Sequence, residues 1–488
     1  MQLTLRRNAS PRLILAIICI GIFIAAADQT VIYGALPDMM PDLHLTAFEL
    51  DQAAWIVIGY LLGYTVAMPL MGRVSDVYGH GRIFMLSVFI FMVGSIFVAL
   101  ASSIHWIVGA RVFQAVGGGA MVPIAMAIVG DIFPERGRPI ALGVIGGAVE
   151  AGAALGPFYG GLFADFVDWR WIFWINLPVS LVVIMLVLLL LGPGHRAQGK
   201  IDYIGGILLA AGLTFLSLAL CQEWGLPGSI GNTVRFLAFA VCFFVLFVFR
   251  QVRTSQPLIE FSMFKKMTFS SASATNLFVG GALIMALVNV PLMSDTILGC
   301  SAFEGGLRLL RLTILISVGA VVGGYLCRQF GYYLPTMMGL VFSAIGFFFL
   351  SRWSLEIADP AMTLHLATCG FGFGLVVAPL ATAVIDSVGE EQRGIGSSLA
   401  LMMRMIGMII GLSVLTAWGM GNFRIMTIGM SLEEVMSLPE EFVASLLDIF
   451  HDFFLAAIGI CLAGMLPALW LGKRRKLSST KKSDDTLP

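Results

Sequence analysis

Fourteen apolar stretches, each about 20 residues long, constrain the fold of this chain more than any other feature. Their centres lie near residues 23, 61, 92, 117, 151, 181, 212, 243, 280, 315, 342, 374, 406 and 460. No water satisfies backbone N–H and C=O groups inside lipid, so each stretch must form a helix. The sequence therefore predicts an all-α polytopic membrane protein with fourteen spans. Asp295, Arg308 and Arg311 interrupt the ninth and tenth spans, which are the least regular.

The composition agrees with a membrane protein and excludes several other classes. The chain is 58% hydrophobic and 12% charged, whereas soluble domains average about 45–50% and 25%. Its seven cysteines show no CxxC pair and no metal-ligand spacing, so we predict neither a disulfide framework nor a metal site. There is no GxxxxGK[ST] phosphate loop and no nucleophile–base pair at a workable spacing. We therefore predict neither an enzyme nor an ATP-driven pump, and no nucleic-acid partner.

Basic residues are distributed unevenly between the predicted loops. With fourteen spans, both termini lie on one side of the membrane. If that side is the cytoplasm, 21 of the 29 lysines and arginines lie in cytoplasmic segments, as the positive-inside rule requires. The apolar run after Arg12 extends past Ala27, so we interpret it as the first span and not as a cleavable signal. We predict a multi-pass protein of a bacterial inner (cell) membrane with both termini cytoplasmic.

An internal repeat divides the chain into two halves. A pair of glycines seven positions apart, Gly72 and Gly79, recurs as Gly324 and Gly331, and Pro123 recurs as Pro379. Parallel repeats of this kind are typical of transporters in which two helical halves move against each other. The predicted units are a six-helix bundle at 12–192, two extra helices at 203–251, a second six-helix bundle at 267–471 and a tail at 472–488. The loop 418–448 is predicted to extend the last two spans outward.

The stretch GVIGGAVEAGAALGPFYGG at residues 143–161 combines small residues with one acid. Small residues let helices approach closely in a bilayer, and a proline inside a helix removes one backbone donor and bends it. Such a helix suits a gate between moving bundles. We therefore predict that gating residues lie here and in the turn after the second span: Gly72, Asp76, Gly79, Arg82, Gly143, Gly152, Gly156, Pro157, Gly160 and Gly161.

Three ionisable residues within spans are candidates for handling a proton: Asp28, Arg111 and Glu150. A charge at bilayer depth costs about 2.5–3.5 kcal/mol on the insertion scale, so such residues are functional candidates by default. Other interpretations stay open at this point. Asp28 could be solvated near the outer mouth, Arg111 could be a structural clamp, and Glu150 could be the partner of an arginine or a bystander.

Five stretches resemble motifs of the major facilitator superfamily and of its fourteen-helix drug:proton antiporter branch. GRVSDVYGHGR at 72–82 is similar to the superfamily's loop signature, and RVFQ at 111–114 to its fourth-helix motif. DQTVIYGALP at 28–37, the glycine pattern of 143–161 and WRWIFWINLP at 169–178 are similar to stretches of the antiporter branch. The resemblance implies two six-helix bundles with two extra central helices, an exporter, and a link between Arg111 and proton transfer.

The chain also departs from the branch pattern. His80 and Gly81 replace two of the usual basic residues of the loop signature, so the charge latch formed there is weaker or set differently. Arg308 and Arg311 stand where many members carry an uncharged stretch. Together with Glu150 and the sequence of residues 55–79, these two arginines resemble the mycobacterial lipid-exporting members of the branch. Four residues are assigned to the substrate, to its headgroup or to ion pairs: Asp295, Arg308, Arg311 and Arg404.

The leading hypothesis is an alternating-access exporter that uses protons as its coupling ion and no other cofactor. Its substrate is a lipid resembling triacylglyceride, or a range of amphipathic drugs as in a general multidrug:proton antiporter. A hypothesis of another class is an uncoupled lipid scramblase or a receptor on the same scaffold. Whether a periplasmic lipid-carrier protein receives the substrate stays open.

Overall fold

A computed structural model of the chain describes residues 10–32, 35, 39, 41–43, 50–191, 202–220, 229–254, 257, 261–298, 302–427 and 440–472. Fourteen helices of at least 18 residues account for most of this described part. They are α1 Pro11–Thr30, α2 Leu50–Tyr78, α3 His80–Ala99, α4 Ile104–Ile132, α5 Arg138–Phe166, α6 Arg170–Leu190, α7 Tyr203–Leu220, α8 Ser229–Arg253, α9 Met267–Thr296, α10 Ala302–Phe330, α11 Tyr333–Leu350, α12 Ala361–Ser387, α13 Arg393–Thr427 and α14 Glu440–Ala468.

The all-α membrane fold predicted from the sequence is confirmed. Within the described ranges, thirteen of the fourteen helices are long and apolar enough to cross a membrane. The exception is α7, whose apolar window covers only Tyr203–Leu216. Each of the fourteen apolar stretches coincides with one helix, including the ninth and tenth; Asp295 lies in the last turn of α9, and Arg308 and Arg311 lie in the first three turns of α10. The hydropathy of the chain therefore reports its helices directly.

The helices of the two halves pack in the same way. A Cβ built on Gly94 of α3 would meet the Cα of Gln114 on α4 at 2.5 Å. A Cβ on Gly346 of α11 would meet the Cα of Cys369 on α12 in the same manner. Gly79 and Gly331 both have positive φ angles, 100° and 81°, at the corresponding turns. The repeat seen in the sequence is therefore also a repeat of backbone contacts.

Two helix pairs make the most extensive contacts between the halves among the described residues. On the first, α5 packs against α10, where a Cβ on Gly143 would collide with the carbonyl oxygen of Ala320. On the second, α2 packs against α13, where a Cβ on Gly72 would lie 2.6 Å from the carbonyl oxygen of Gly394. These contacts put backbone against backbone, so the interface between the halves tolerates no added side chain here.

The helices α7 and α8 pack on each other and touch the halves through α2 and α13. Only 11% of the apolar window of α8 is buried, which suits a helix that faces lipid. The helix α13 contains 35 residues and is about 52 Å long, which exceeds a hydrocarbon core of about 30 Å. This length agrees with the predicted extension, although 428–439 and the tail after Gly472 lie outside the described residues. The four predicted unit boundaries stay a prediction.

Candidate functional site

A buried polar cluster forms around Asp28 in the middle of the first half. Arg111 of α4 donates from Nη1 to Asp28 Oδ2 at 2.5 Å and from Nη2 to the Asp28 carbonyl oxygen at 3.0 Å. Gln114 Nε2 and Asn176 Nδ2 donate to the other carboxylate oxygen at 3.1 and 3.0 Å. Both also donate to Ser95 Oγ, at 2.8 and 3.3 Å. Asp28 is therefore enclosed by donors and is not a solvated acid at a channel mouth.

Aromatic rings seal this cluster from its surroundings. The guanidinium of Arg111 lies 4.1 Å from the ring centroid of Tyr60 and 5.8 Å from that of Phe173. Arg111 itself has no exposed surface. Since a charge at such a position needs a partner, the neutrality of the pair depends on the ionisation of Asp28. A proton delivered to Asp28 would weaken the pair and leave the arginine held by neutral groups.

The second half carries no equivalent of this cluster among the described residues. The repeated helix contacts align Ser95 with Phe347, Arg111 with Leu366 and Gln114 with Cys369. All three second-half residues are fully buried and apolar. The two halves thus share a backbone arrangement, while only the first carries a charge at these aligned positions.

Glu150 and Arg404 form a second ion pair, and this one joins the halves. Arg404 Nη2 of α13 donates to Glu150 Oε1 of α5, and the two side chains are 12% and 7% exposed. The sequence left Glu150 open between proton coupling, an arginine partner and a bystander, and the structure gives it an arginine partner from the other half. Arg404, which the sequence analysis assigned to the substrate, to its headgroup or to ion pairs, thus forms an ion pair in this structure.

A tyrosine stack connects the two ion pairs. Tyr60 lies over Arg111, and its ring stacks on Tyr64 one turn later in α2 with the centroids 5.9 Å apart. The two tyrosines belong to a buried cluster with Met68 and Ala115, and this cluster packs against Leu401 and Met405, which flank Arg404 on α13. A change in charge at one pair can therefore reach the other through packed side chains.

Arg404 also lines a central cavity between the halves. The cavity has a volume of about 40 Å³, and its polar lining side chains are Asn276, Ser397 and Arg404 among thirteen lining residues. The other ten are aliphatic residues, one methionine and one glycine, so the wall is mainly apolar. A volume of this size holds about one water molecule. A lipid-sized substrate does not fit into this cavity unless the halves separate.

The glycines of the predicted gate are divided between two partners. Gly152, Gly156 and Gly160 face the backbone of α1 so closely that an added Cβ would collide there. Gly143 instead faces α10 of the second half. The helix α5 therefore packs against α1, which carries Asp28, and against α10 of the second half. The surroundings of Pro157 and Gly161 lie outside the described part of the structure.

A charge latch closes one end of the molecule, which we call the latch end. Asp76 of α2 accepts hydrogen bonds from the backbone N–H groups of Gly394 and Ile395 at 2.7 and 3.0 Å. These groups form the amino end of α13, where the helix dipole favours an anion. His80 bonds to Asp76, and Arg82 lies half-buried on the next turn of α3. The predicted contact between an acid and a helix amino end is present and crosses the two halves.

Sequence reasoning missed several polar partners at the latch end. Asp131 of α4 accepts from Arg393 Nη1 at 2.8 Å, and Asp386 of α12 accepts from Arg138 Nη1 at 2.5 Å. In the sequence analysis, Arg138 and Arg393 served only as basic residues of cytoplasmic loops that set the orientation of the chain. An Arg-Gly pair at 136–137 recurs at 393–394, which relates the starts of α5 and α13, but this repeat does not single out Arg138.

The arginines of the tenth span do not pair as a group. Arg311 donates from Nη1 to both oxygens of Asp359, at 2.7 and 2.8 Å, and this acid belongs to the α11–α12 connection. The hydrogen bond from Thr363 and the Arg311 guanidinium lower the pKa of Asp359. Arg308 is half-buried one turn away, and the side chain of Asp295 lies outside the described part. The assignment of these residues to substrate stays a prediction.

Comparison with known proteins agrees with this arrangement. Residues 18–412 match the model of the Major Facilitator Superfamily. A probable triacylglyceride transporter of Mycobacterium leprae is 31% identical, over 95% of this chain and 96% of its own length. A triacylglyceride transporter of Mycobacteroides abscessus is 33% identical, over 83% and 81%.

Solved structures agree on the fold alone, since their sequences are distant. The human organic anion transporter MFSD10 (TETRAN) superposes with a TM-score of 0.64 at 15% identity, over 95% of this chain and 100% of that one. The proton:xylose symporter XylE gives a TM-score of 0.60 at 14% identity, over 94% and 98%. The chain therefore belongs to the major facilitator superfamily, and it is a membrane transporter rather than an enzyme.

Proposed function

We propose that this protein is a proton-coupled exporter that moves a hydrophobic lipid, resembling triacylglyceride, by alternating access. The observation that carries the proposal is the Glu150–Arg404 pair, which joins the two halves at the wall of an apolar cavity. A titratable acid in this place makes the contact between the halves depend on a proton.

The direction of the movement follows from the two contacts between halves. Ionised Glu150 attracts Arg404, and a proton on Glu150 removes that attraction. The latch at Asp76 holds the other contact closed in this conformation. Protonation of Glu150 therefore favours opening at the end opposite the latch. If the latch end is cytoplasmic, as the basic loops indicate, an external proton drives release to the outside.

The Asp28–Arg111 cluster supplies a second proton site within the first half. Its link to Glu150 runs through Tyr60 and Tyr64, and α5 packs its glycines against the helix that carries Asp28. A proton at Asp28 weakens its bond to Arg111 and loosens one side of this stack. Asp28 and Glu150 are thus placed to bind a proton in turn as the two halves move against each other.

A neutral lipid suits the centre of the molecule. The cavity wall is mainly apolar, and Asn276 and Arg404 offer N–H groups that can donate to ester oxygens. The relatives in mycobacteria carry the name triacylglyceride transporter. We place the protein in the bacterial cell membrane with both termini cytoplasmic, and handover to a periplasmic lipid carrier stays a hypothesis.

The test is transport by purified protein in proteoliposomes, with and without an imposed proton gradient. Labelled triacylglyceride and the dye ethidium are followed in parallel, for the wild type and for Glu150→Gln. Glu356→Gln serves as the control, because Glu356 is an exposed acid in the α11–α12 connection. We expect gradient-dependent lipid movement that Glu150→Gln abolishes and Glu356→Gln keeps.

Two other outcomes identify the alternatives. Movement of ethidium without lipid would indicate a general multidrug antiporter. Lipid movement in both directions that ignores the gradient and survives Glu150→Gln would indicate an uncoupled scramblase and contradict the proposal.

A further inference from the structure

The α2–α13 pair and the α5–α10 pair, which we call the two seams between the halves, differ in what covers them. At the first seam, α7 packs against both α2 and α13. A Cβ built on Gly206 of α7 would lie 2.8 Å from Leu70 Cδ1 of α2. At the second seam, α7 and α8 make no comparable contact with α5 or α10 among the described residues. The two extra helices therefore cover one seam only.

The two extra helices, which we call the strap, are attached to both halves. Leu209 and Leu213 of α7 are buried in the hydrophobic core cluster that fills the second half, and Val66 of α2 packs against the same cluster. At the latch end, the side chains of Tyr203 at the start of α7 and Tyr78 at the end of α2 share a hydrogen bond. The strap therefore spans the α2–α13 seam from one half to the other.

A buried carboxylate fixes the two helices of the strap to each other. Asp202 accepts a hydrogen bond from the backbone N–H of Gly205 at the start of α7, at 3.0 Å. It also accepts from Arg250 Nε and Gln251 Nε2 of α8, at 3.0 and 2.9 Å. A buried carboxylate that loses such donors costs free energy, so α7 and α8 should move as one body.

The exposure of side chains differs between the seams in the same way. Within 56–77 of α2 and 393–409 of α13, no side chain that the structure describes is exposed. On α10, in contrast, Ile314, Val318 and Val321 are all exposed. Aliphatic side chains on the outside of a membrane-spanning helix face lipid. The helix α10 therefore borders on lipid at the second seam, whereas the first seam is covered.

Two consecutive glycines of α5 separate the central cavity from this lipid face. Gly146 lines the cavity, and a Cβ built on it would lie 2.4 Å from Cγ1 of Val377, another cavity-lining residue on α12. Gly147 faces outward, and its added Cβ would lie 3.7 Å from Val321 Cγ2 on α10. Because both glycines lack a side chain, only the backbone of α5 divides the cavity from the lipid-facing side of α10 here.

This thin wall lies in the leaflet next to the latch end. Gly147 follows the first residue of α5 by nine positions, and Val321 precedes the last residue of α10 by nine positions. At 1.5 Å per residue, both lie about 14 Å from the latch-end termini of their helices, within the nearer half of a hydrocarbon core of about 30 Å. Opening of the latch end would therefore part α5 from α10 at the depth of acyl chains.

We propose that the strap holds the α2–α13 seam closed, so that the halves part sideways only between α5 and α10. A lipid of the latch-side leaflet then reaches the cavity past Gly146 and Gly147. An acyl chain suits this route, because the outer side of the seam is aliphatic and the cavity wall is mainly apolar. The identity of the lipid cargo rests on the proposed function, whereas the strap and the uncovered seam do not depend on it.

Photolabelling of the protein in nanodiscs tests which seam admits lipid. The probe is a phosphatidylcholine that carries a diazirine in the middle of one acyl chain, and mass spectrometry identifies the labelled residues. We expect label on Val321 at the rim of the uncovered seam and on Val377 in the cavity. We expect none on Val66 and Leu70, which lie beneath the strap.

Two disulfide staples, built after the seven native cysteines are replaced, test the route. Gly147→Cys with Val321→Cys joins α5 to α10, and Gly206→Cys with Leu70→Cys joins the strap to α2. The added Cβ atoms lie 3.7 Å from Val321 Cγ2 and 3.8 Å from Leu70 Cγ, so both pairs are close enough for a disulfide. Oxidation of the first pair should remove the label from Val377, and reductant should restore it. Oxidation of the second pair should leave that label unchanged.

Weakening the strap provides the converse test. Leu209→Ala together with Leu213→Ala removes its buried contacts with the second half, so label should now appear on Val66 and Leu70. Size-exclusion chromatography checks that this variant folds, and recovery of the Val377 label after reduction checks the stapled variants.

Five results would overturn the proposal. They are equal labelling of Leu70 and Val321, no label on Val377, a first staple that leaves the Val377 label unchanged, a second staple that removes it, and a weakened strap that admits no label beneath it. The second staple matters because a strap that must leave α2 cannot hold its seam closed. Labelling as expected in a protein that moves no triacylglyceride would contradict the proposed function alone.

Discussion

Arg404 of α13 and Glu150 of α5 form a largely buried ion pair across the interface between the two halves. Next to this pair, Leu401 and Met405 of α13 pack against the cluster that contains Tyr60, and Tyr60 covers Arg111. A single helix of the second half thus bonds to Glu150 through Arg404 and packs against the aromatic cover of the Asp28–Arg111 pair. This relationship makes the pair the first place where a proton can alter the fit of the halves.

A double-mutant cycle should show that Glu150 and Arg404 are strongly coupled. Glu150→Gln or Arg404→Met alone leaves one buried charge without its partner, which costs about 3 kcal/mol. The double substitution leaves no charge and should recover much of that loss. The measurement is the free energy of unfolding in an SDS titration. Additive effects of the two single changes would show that the pair contributes nothing to stability.

Asp28→Asn should separate exchange from coupling. The amide keeps the shape of the side chain and resembles the protonated acid, so substrate exchange at equal pH should persist. Uphill transport driven by a gradient should be lost, since no proton can be bound and released. The check compares counterflow with gradient-driven transport in the same vesicles. Full gradient-driven transport by this variant would remove Asp28 from the coupling path.

Gly156→Ala should destabilise the first half. An added Cβ would collide with Thr30 and lie 2.6 Å from the Ala27 carbonyl oxygen, so α1 and α5 must separate at a cost of about 1–3 kcal/mol. Gly109→Ala is the matched control, because nothing lies within 4 Å of its added Cβ. The control should be neutral or slightly stabilising, since alanine favours helix. Thermal unfolding of the two variants in detergent gives the comparison, and equal melting temperatures would contradict it.

Asp76→Asn should open the latch without changing the rest of the fold. The amide keeps one acceptor oxygen, so only one of the N–H groups of Gly394 and Ile395 stays bonded, an NH2 group faces the other, and the charge that the helix amino end attracts is lost. Loss of a cap of this kind costs about 1 kcal/mol, which is a fivefold change in the closed fraction. Labelling rates of a cysteine placed at Gln329 would report the change. An unaltered rate would mean that other contacts alone hold the latch.

Arg311→Ala should leave transport intact. The Arg311–Asp359 pair is 35% and 51% exposed, and exposed pairs contribute little. Because the pKa of Asp359 is lowered, the pair stabilises the fold above the usual carboxyl range and loses that effect only as acid protonates Asp359. Melting temperatures of the variant should therefore lie only slightly below those of the wild type between pH 5 and pH 8, and the small difference should disappear in acid. Loss of transport comparable to that of Arg404→Met would instead place Arg311 in the substrate path.

The helices of this protein follow from its hydropathy. Each of the fourteen apolar stretches became one helix, because lipid leaves the backbone no other way to satisfy its polar groups. Glycine spacing predicted close contacts at Gly152, Gly156 and Gly160, and the structure places all three against α1. Local patterns of this kind depend on neighbours in sequence or on the bilayer, so they can be read without a fold.

The pairing of charges could not be predicted in the same way. Glu150 and Arg404 are 254 positions apart, and Arg393 and Asp131 are 262 apart. The sequence alone predicted an all-α membrane protein with fourteen helices, an internal repeat, and three ionisable residues within spans, Asp28, Arg111 and Glu150. The tertiary structure decided which charges meet, because ion pairs depend on distances of a few ångströms that arise only when the two halves pack together.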